Sequence, residues 1–328
     1  MLIVYIVRRV LWAIPFFFVI SLVAFALIQA PPGDFVTSYA AKLAASGDLL
    51  DQDRLEILRS KLGLDQPFIV QYWLWISNVM KGDFGMSFEW DRPVSELIGE
   101  RMILSVLLAF STILLTWTIA LPIGIYSAVR KYSTLDYVAT FLGFIGLATP
   151  NFLIALVLMY VAIVFFGTDV SGLFSPDYIN APWSWARLVD LLSHLWVPMV
   201  ILGASGTASM IRVMRANLLD ELAKPYVTTA RARGMPEWRL ILKYPVRVAL
   251  NPFVSTIGWV LPQTVSGAVV TAFVLNLPTA GPMLLEALLA RDMYLAGAFI
   301  LLMCSLTIVG MLISDILLVI LDPRIRFR

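Results

Sequence analysis

Six stretches of this chain run for more than twenty residues without one acidic or basic side chain: Val10–Ala30, Met102–Val129, Tyr137–Thr168, Leu191–Ile211, Val248–Leu285 and Met293–Ser314. A helix needs about 20 apolar residues to cross the hydrocarbon core of a bilayer. It is the default spanning element because it satisfies every backbone amide internally. The pattern therefore predicts an all-α integral membrane protein with six transmembrane helices. Composition agrees, with 60% hydrophobic and 14% charged residues in 328, where a soluble domain carries about a quarter charged. The formal net charge of +2 is too small to imply a nucleic-acid partner. The single cysteine, Cys304, cannot close a disulfide within the chain.

Arg8 and Arg9 ahead of an apolar stretch imitate a secretory signal. The stretch is too long for a signal core, lacks a small-x-small cleavage site and runs into Pro31 and Pro32, so residues 1–31 are expected to be a retained first helix. The fifth run is longer than one crossing needs and carries Pro252, Pro262, Pro278 and Pro282. Its last third is expected to leave the membrane or fold back into it. Gln263, Ser266, Thr271 and Asn276 within it suggest a helix that lines a cavity.

An even number of spans puts both termini on one side, and positive residues mark the cytoplasmic one. With an N-in, C-in arrangement, fifteen of the 24 basic residues lie inside, eight of them between Arg212 and Arg247. The outside segments then hold nine basic and sixteen acidic residues, mostly within 32–100, a polar and aromatic stretch that reads as a small ordered cap. Residues 101–328 form the five-helix remainder.

Several chemistries are excluded. No G-x-x-x-x-G-K-[ST] phosphate loop occurs, so any use of ATP must be borrowed from another chain. One histidine and one cysteine cannot build a His/Cys metal cluster. The "GASG" at Gly203–Gly206 imitates the serine motif of intramembrane proteases, and a serine nucleophile needs a base within hydrogen-bond reach. The only histidine, His194, precedes Ser205 by eleven residues on the same expected helix, roughly 16 Å along its axis at 1.5 Å per residue. Close helix packing explains the small residues better. Asp315 lies inside the sixth run, where a carboxylate is costly and faces a bundle interior or a cavity. An ion-coupled secondary transporter would use such a group, but it would usually show internal repeats, and none stands out here.

The basic segment from Arg212 to Pro252 is too long and too patterned for a bare turn. Pro225 breaks the preceding helix, Tyr226–Arg233 reads as a short helix, and Gly234 can end it in the left-handed conformation. Met235-Pro236-Glu237 reads as the start of a second helix. Tyr226, Thr228, Thr229, Ala230 and Ala232 are too small and polar for a lipid anchor, which favours docking to a soluble partner.

This segment resembles the coupling ("EAA") loop of ABC importer permeases, in which E-A-A is followed three residues later by glycine. Thr228, Thr229 and Ala230 occupy the E-A-A positions when Gly234 is aligned, and Tyr226–Gly234 is similar to the version of the dipeptide, oligopeptide and nickel branch. "PPGDF", "LGLDQPFIVQYWLW", "GDFGMSF", "LATPNF", "AGPMLLEALLARD" and "LDPRIR" match that branch in order. The resemblance spans the whole chain. It implies a type I ABC importer permease fold with a periplasmic segment between helices 1 and 2 and a coupling loop at 216–248. Implied partners are a second homologous permease, two ABC ATPases that carry ATP and Mg, and a periplasmic or lipid-anchored solute-binding protein. The chain itself would be non-catalytic, bind no cofactor and lie in a bacterial inner membrane.

By the same resemblance, Tyr226, Thr228, Thr229, Ala230, Arg231, Ala232, Arg233, Gly234 and Glu237 would meet the ATPase. Arg231 or Arg233 would take over the contact of the missing glutamate. Asn151, Gln263, Ser266 and Thr271 are the expected translocation-path residues, and Asn276, Gly281 and Glu286 the expected binding-protein contacts. Di- or oligopeptides are the default cargo. Nickel chelates, glutathione and oligosaccharides use similar permeases.

Overall fold

Prolines and capping side chains, more than hydrophobicity, decide where the helices stop. In the computed structural model the described residues are 2–29, 52–61, 63–87, 89–179, 181–266 and 269–321, with isolated positions between 33 and 44. For some of these, Ser266 included, the description covers the backbone alone. Most of "PPGDF", and "LDPRIR" beyond Leu321, lie outside the described residues. No β-strand occurs among them; Met86 and Pro93 form an isolated antiparallel bridge.

Helix α1 (Leu2–Gln29) is followed by α2 (Gln52–Lys61), α3 (Phe68–Met80) and α4 (Val94–Val129). Then come α5 (Thr134–Ala148), α6 (Asn151–Phe166) and the 38-residue α7 (Trp185–Leu222). The basic segment holds α8 (Pro225–Ala232), α9 (Glu237–Lys243) and α10 (Pro245–Ala249). Finally α11 (Asn251–Ser266), α12 (Val269–Val274), α13 (Ala280–Ala290) and α14 (Met293–Leu321) complete the chain. Ser133 and Ser184 cap α5 and α7 by accepting from the Asp136 and Arg187 amides, which satisfies donors that a helix start leaves open.

Four helices, α1, α4, α7 and α14, are long and apolar enough to cross a membrane. The third predicted run, Tyr137–Thr168, is not one straight helix: α5 and α6 meet at 101° across Thr149 and Pro150 and count as a fifth span only if taken together. Pro150 lacks an amide and disfavours α conformation at the residue before it, and Thr149 is extended at ψ 123°. The fifth run, Val248–Leu285, is divided among short helices. Its longest, α11, has 16 residues and reaches about 24 Å, short of the roughly 30 Å core.

The chain divides into two compact units. The first comprises residues 1–105 and 279–306. Its core joins α1 to α3: the Phe25 ring stacks on Trp75 at 5.4 Å, and the buried Ser21 and Tyr72 hydroxyls share a hydrogen bond of 2.8 Å. Asp292, fully buried, fixes the start of α14 by accepting from the Ser87 hydroxyl and from the Glu89 and Leu295 amides. Ser105 accepts from the Ala280 amide at 2.8 Å and so caps α13. A side chain at Gly297 would meet Trp75 Cζ2 at 2.8 Å from its Cβ. Gly297→Leu is therefore expected to lose about 1–3 kcal/mol by overpacking, measured as a lower midpoint in detergent thermal unfolding; an unchanged midpoint would show that Trp75 turns away freely.

The second unit comprises residues 106–278 and 307–328. Small residues bring its helices together. Gly203 and Gly206 face Thr112 and Thr116 of α4, while Ala204 and Ala208 face Gly143 and Gly146 of α5. The "GASG" stretch is thus a packing seam, and His194 bonds instead to the Asp190 carbonyl and Ser193 hydroxyl. Gly310 of α14 approaches Gly258 of α11, and Ser314 donates to the Val254 carbonyl at 2.8 Å. Asp315 beside it is half-buried and engaged in a polar contact.

Candidate functional site

The basic segment is built outward from α7. Arg215, two turns before the end of that helix, grips Asp136 at the start of α5 with two hydrogen bonds, Nε to Oδ1 at 2.9 Å and Nη2 to Oδ2 at 3.0 Å. The Tyr132 amide donates to the same carboxylate at 2.9 Å. Bidentate pairing of this kind fixes orientation as well as distance. Asp136 has only 4% of its side chain exposed and Arg215 29%, so the end of α7 is clamped before the chain turns.

Pro225 at the first turn of α8 provides the turn, its fixed φ suiting a helix start. Only Val227 of α8 is fully buried. It enters a core of Met214, Leu218, Leu240, Ile241 and Phe253, with Ala230 packed against its edge. Of the nine residues expected to face an ATPase, Ala230 is half-buried and the other eight are exposed. A helix held by one apolar side chain and otherwise open is anchored firmly while presenting its polar surface.

Gly234 ends the helix at φ +76°. Its amide donates to the Arg231 carbonyl and that of Met235 to the Ala230 carbonyl, closing carbonyls that a helix end leaves open. Pro236 sits at the cap of α9 rather than inside its first turn, and Glu237 takes the first helical position, where a carboxylate suits the helix dipole. Glu237 accepts two hydrogen bonds from Arg231, so one ion pair locks α8 to α9. Arg233 has no carboxylate partner among the described residues. Hydrogen bonding to Arg231 lowers the Glu237 carboxyl below its ordinary value, and the same pairing raises Arg231. Burial first, then the Glu221 carboxylate 2.7 Å away, pushes the Tyr226 phenol up.

A carboxyl lowered on folding contributes stability that is present above its unfolded value and lost as pH falls through the lowered one. Both partners are half exposed, so the effect is local. Amide exchange at Gly234 and Met235, corrected for its intrinsic pH dependence, is expected to speed up as pH drops below the ordinary carboxylate range. Arg231→Gln should remove that dependence; a profile unchanged in the variant would detach the turn from the ion pair.

Beside α8 lies an open cleft of about 660 Å³ that reaches the end of α14 at Leu321. Arg247 Nε donates to the Leu321 carbonyl at 2.8 Å and so tethers the end of α14 to the segment.

The other expected site residues differ in exposure. Asn151 begins α6 and is half-buried, Gln263 is exposed on α11, and Thr271 is 4% exposed within α12. Ser266 lies outside the described side chains. Asn276 turns at φ 50° and is exposed, as is Glu286 on α13, but Gly281 is buried. A bulky residue at Gly281 would act on packing first. Sequence reasoning missed Val227, Asp136 and Arg215; a lone valine inside a polar octet was the one available signal.

Comparison with known proteins decides the family. The model described as "Binding-protein-dependent transport system inner membrane component" matches residues 120–327, and its N-terminal companion matches residues 1–109. The chain belongs to this family of inner-membrane transport components. The oligopeptide transport system permease protein AppB of Bacillus subtilis (strain 168) is 36% identical over 98% of this chain and 99% of its own length. The glutathione transport system permease protein GsiC of Escherichia coli (strain K12) is 31% identical over 99% of each. The chain is therefore a permease subunit of an ABC importer, placed in the inner membrane.

Proposed function

We propose that this permease is one of two related subunits that together form the path of a peptide importer. Two cytoplasmic ATPases would drive it and a solute-binding protein would feed it. Its cargo class is di- or oligopeptides: the named relatives carry oligopeptide and glutathione transport in their names, and glutathione is itself a small peptide. The chain would be non-catalytic, with ATP and Mg held by the ATPases, since it has no phosphate loop of its own.

The observation that carries the reading is α8 with the turn after it: one buried valine, five exposed coupling candidates on the helix and three just beyond it, and a clamp from Arg215 that ties its parent helix to α5. ATPase closure against such an element would move α7 and α5 as one body. With Arg231 occupied by Glu237, Arg233 is the cation that would stand in for the missing glutamate's contact. We further read the bent α5–α6 pair as one span and the divided fifth run as another, giving six spans with both ends inside. Asn276 and Glu286 would then meet the binding protein from the outer face, and Asn151, Gln263, Ser266 and Thr271 would border the path.

The test is to tag the chain in its native host, extract it in mild detergent and identify what co-purifies, then measure uptake of labelled di- and tetrapeptides. A second permease and ATPases retained by wild type, with peptide uptake lost on deletion, are expected. A chain that comes alone and transports in proteoliposomes without ATP overturns the reading.

A further inference from the structure

The cleft beside α8 gathers positive charge at the edge of a membrane helix. Arg233, Lys243 and Arg247 line it together with Tyr226, Tyr244 and Met235, and none of the three cations has a carboxylate partner among the described residues. All three are exposed. Lys243 lies over the Tyr244 ring at 5.4 Å, which limits where its ammonium can reach. Arg247 is held by the two last carbonyls of α14, at Leu321 and Ile320, and its remaining donors stay available. Apolar surface from Val248 and Leu321 completes one wall. Leu321 ends a helix of membrane-spanning length, and in a bilayer the end of such a helix falls near the membrane surface.

Three cations and two phenols around apolar surface suit one ligand chemistry: a phosphate that carries, or lies next to, hydrocarbon. We propose that this cleft binds the phosphodiester head group of an anionic phospholipid, with Lys243 and Arg247, neither of them a coupling candidate, on the phosphate and the acyl chains leaving along Val248 and Leu321. Basic pockets at helix ends are the membrane protein's usual means of holding such head groups. The bound lipid would add to the Arg247 tether between α10 and the end of α14, beside the core that already joins α8 to α10. The inference needs only that the cleft open at a membrane surface, whichever leaflet that is. It can therefore fail while the coupling role of α8 stands, and the reverse.

The experiment is native mass spectrometry of the complex, with its partner permease and ATPases bound, released from nanodiscs of phosphatidylcholine containing phosphatidylglycerol. Wild type is expected to retain one phosphatidylglycerol more than the Lys243→Gln/Arg247→Gln pair, with retention at least about fivefold lower in the variant. Lys131→Gln, at a basic residue that does not line the cleft, should match wild type. Because Arg247 also tethers α14, Lys243→Gln alone is included and should give an intermediate loss with an unchanged unfolding midpoint. Equal retention in all variants overturns the proposal. Displacement of the lipid by millimolar glycerol 3-phosphate would assign the cleft to a soluble phosphate instead. Retention only after the ATPases are stripped away would assign it to an acidic face of the ATPase.

Discussion

Gly234→Val is expected to abolish transport and ATPase co-purification, at least about tenfold in each, while leaving the unfolding midpoint of the chain nearly unchanged. A Cβ at this position would have nothing within 4 Å, so the damage cannot come from a clash within the chain. It comes from φ +76°, a left-handed conformation that disfavours an L-residue by roughly 1–2 kcal/mol and a β-branched one most of all. The strain would be relieved by rotating the turn between Arg233 and Glu237, which swings the exposed side of α8. Asparagine tolerates this region, so Gly234→Asn should keep most of the activity although it is larger than alanine. A valine variant that still holds its ATPases would mean that the turn's conformation is irrelevant to docking. An asparagine variant as inactive as valine would point to a contact at Gly234 itself.

The second large effect concerns the clamp, and it is asymmetric. Arg215→Ala leaves a carboxylate with only 4% exposure facing no cation, whereas Asp136→Ala leaves a guanidinium that is already 29% exposed and can turn toward water. Truncating one partner of a buried ion pair costs about 3–5 kcal/mol. Arg215→Ala should fall near that range and Asp136→Ala clearly below it, with the double variant less destabilised than Arg215→Ala alone. Unfolding of all three in one detergent, read as a double-mutant cycle, checks the order. Equal losses from both single variants, adding in the double, would show that the two residues act separately.

The helical class and the short loop helix were legible because their causes are local. Uncharged runs mark α1, α4, α7 and α14 without reference to any other part of the chain, and Pro225 and Gly234 punctuate α8 by their own backbone limits. Boundaries were less legible. Helix α7 continues from Ile211 to Leu222 through charged residues, since arginine and leucine keep their helix propensity once outside hydrocarbon. The elbow at Pro150 was hidden inside one long apolar run, because hydropathy measures solvent preference and not direction. The Asp136–Arg215 pair joins residues 79 positions apart and left no trace in spacing. Polarity alone suggested Thr271 as a path residue, and its burial at 4% exposure could not be read from the local sequence.

Because only Val227 of α8 is fully buried, with Ala230 at the edge of the core, the remaining surface of that helix is nearly independent of the fold beneath it. Thr228, Thr229, Ala232 and Arg233 can change identity without disturbing Met214, Leu218 or Leu240, provided the valine, the glycine and the Arg231–Glu237 lock are kept. If α8 docks the ATPase as proposed, a permease lineage could exchange one motor for another by drift at four or five surface positions. Grafting those positions from a relative onto this scaffold is a direct route to a transporter with a chosen engine.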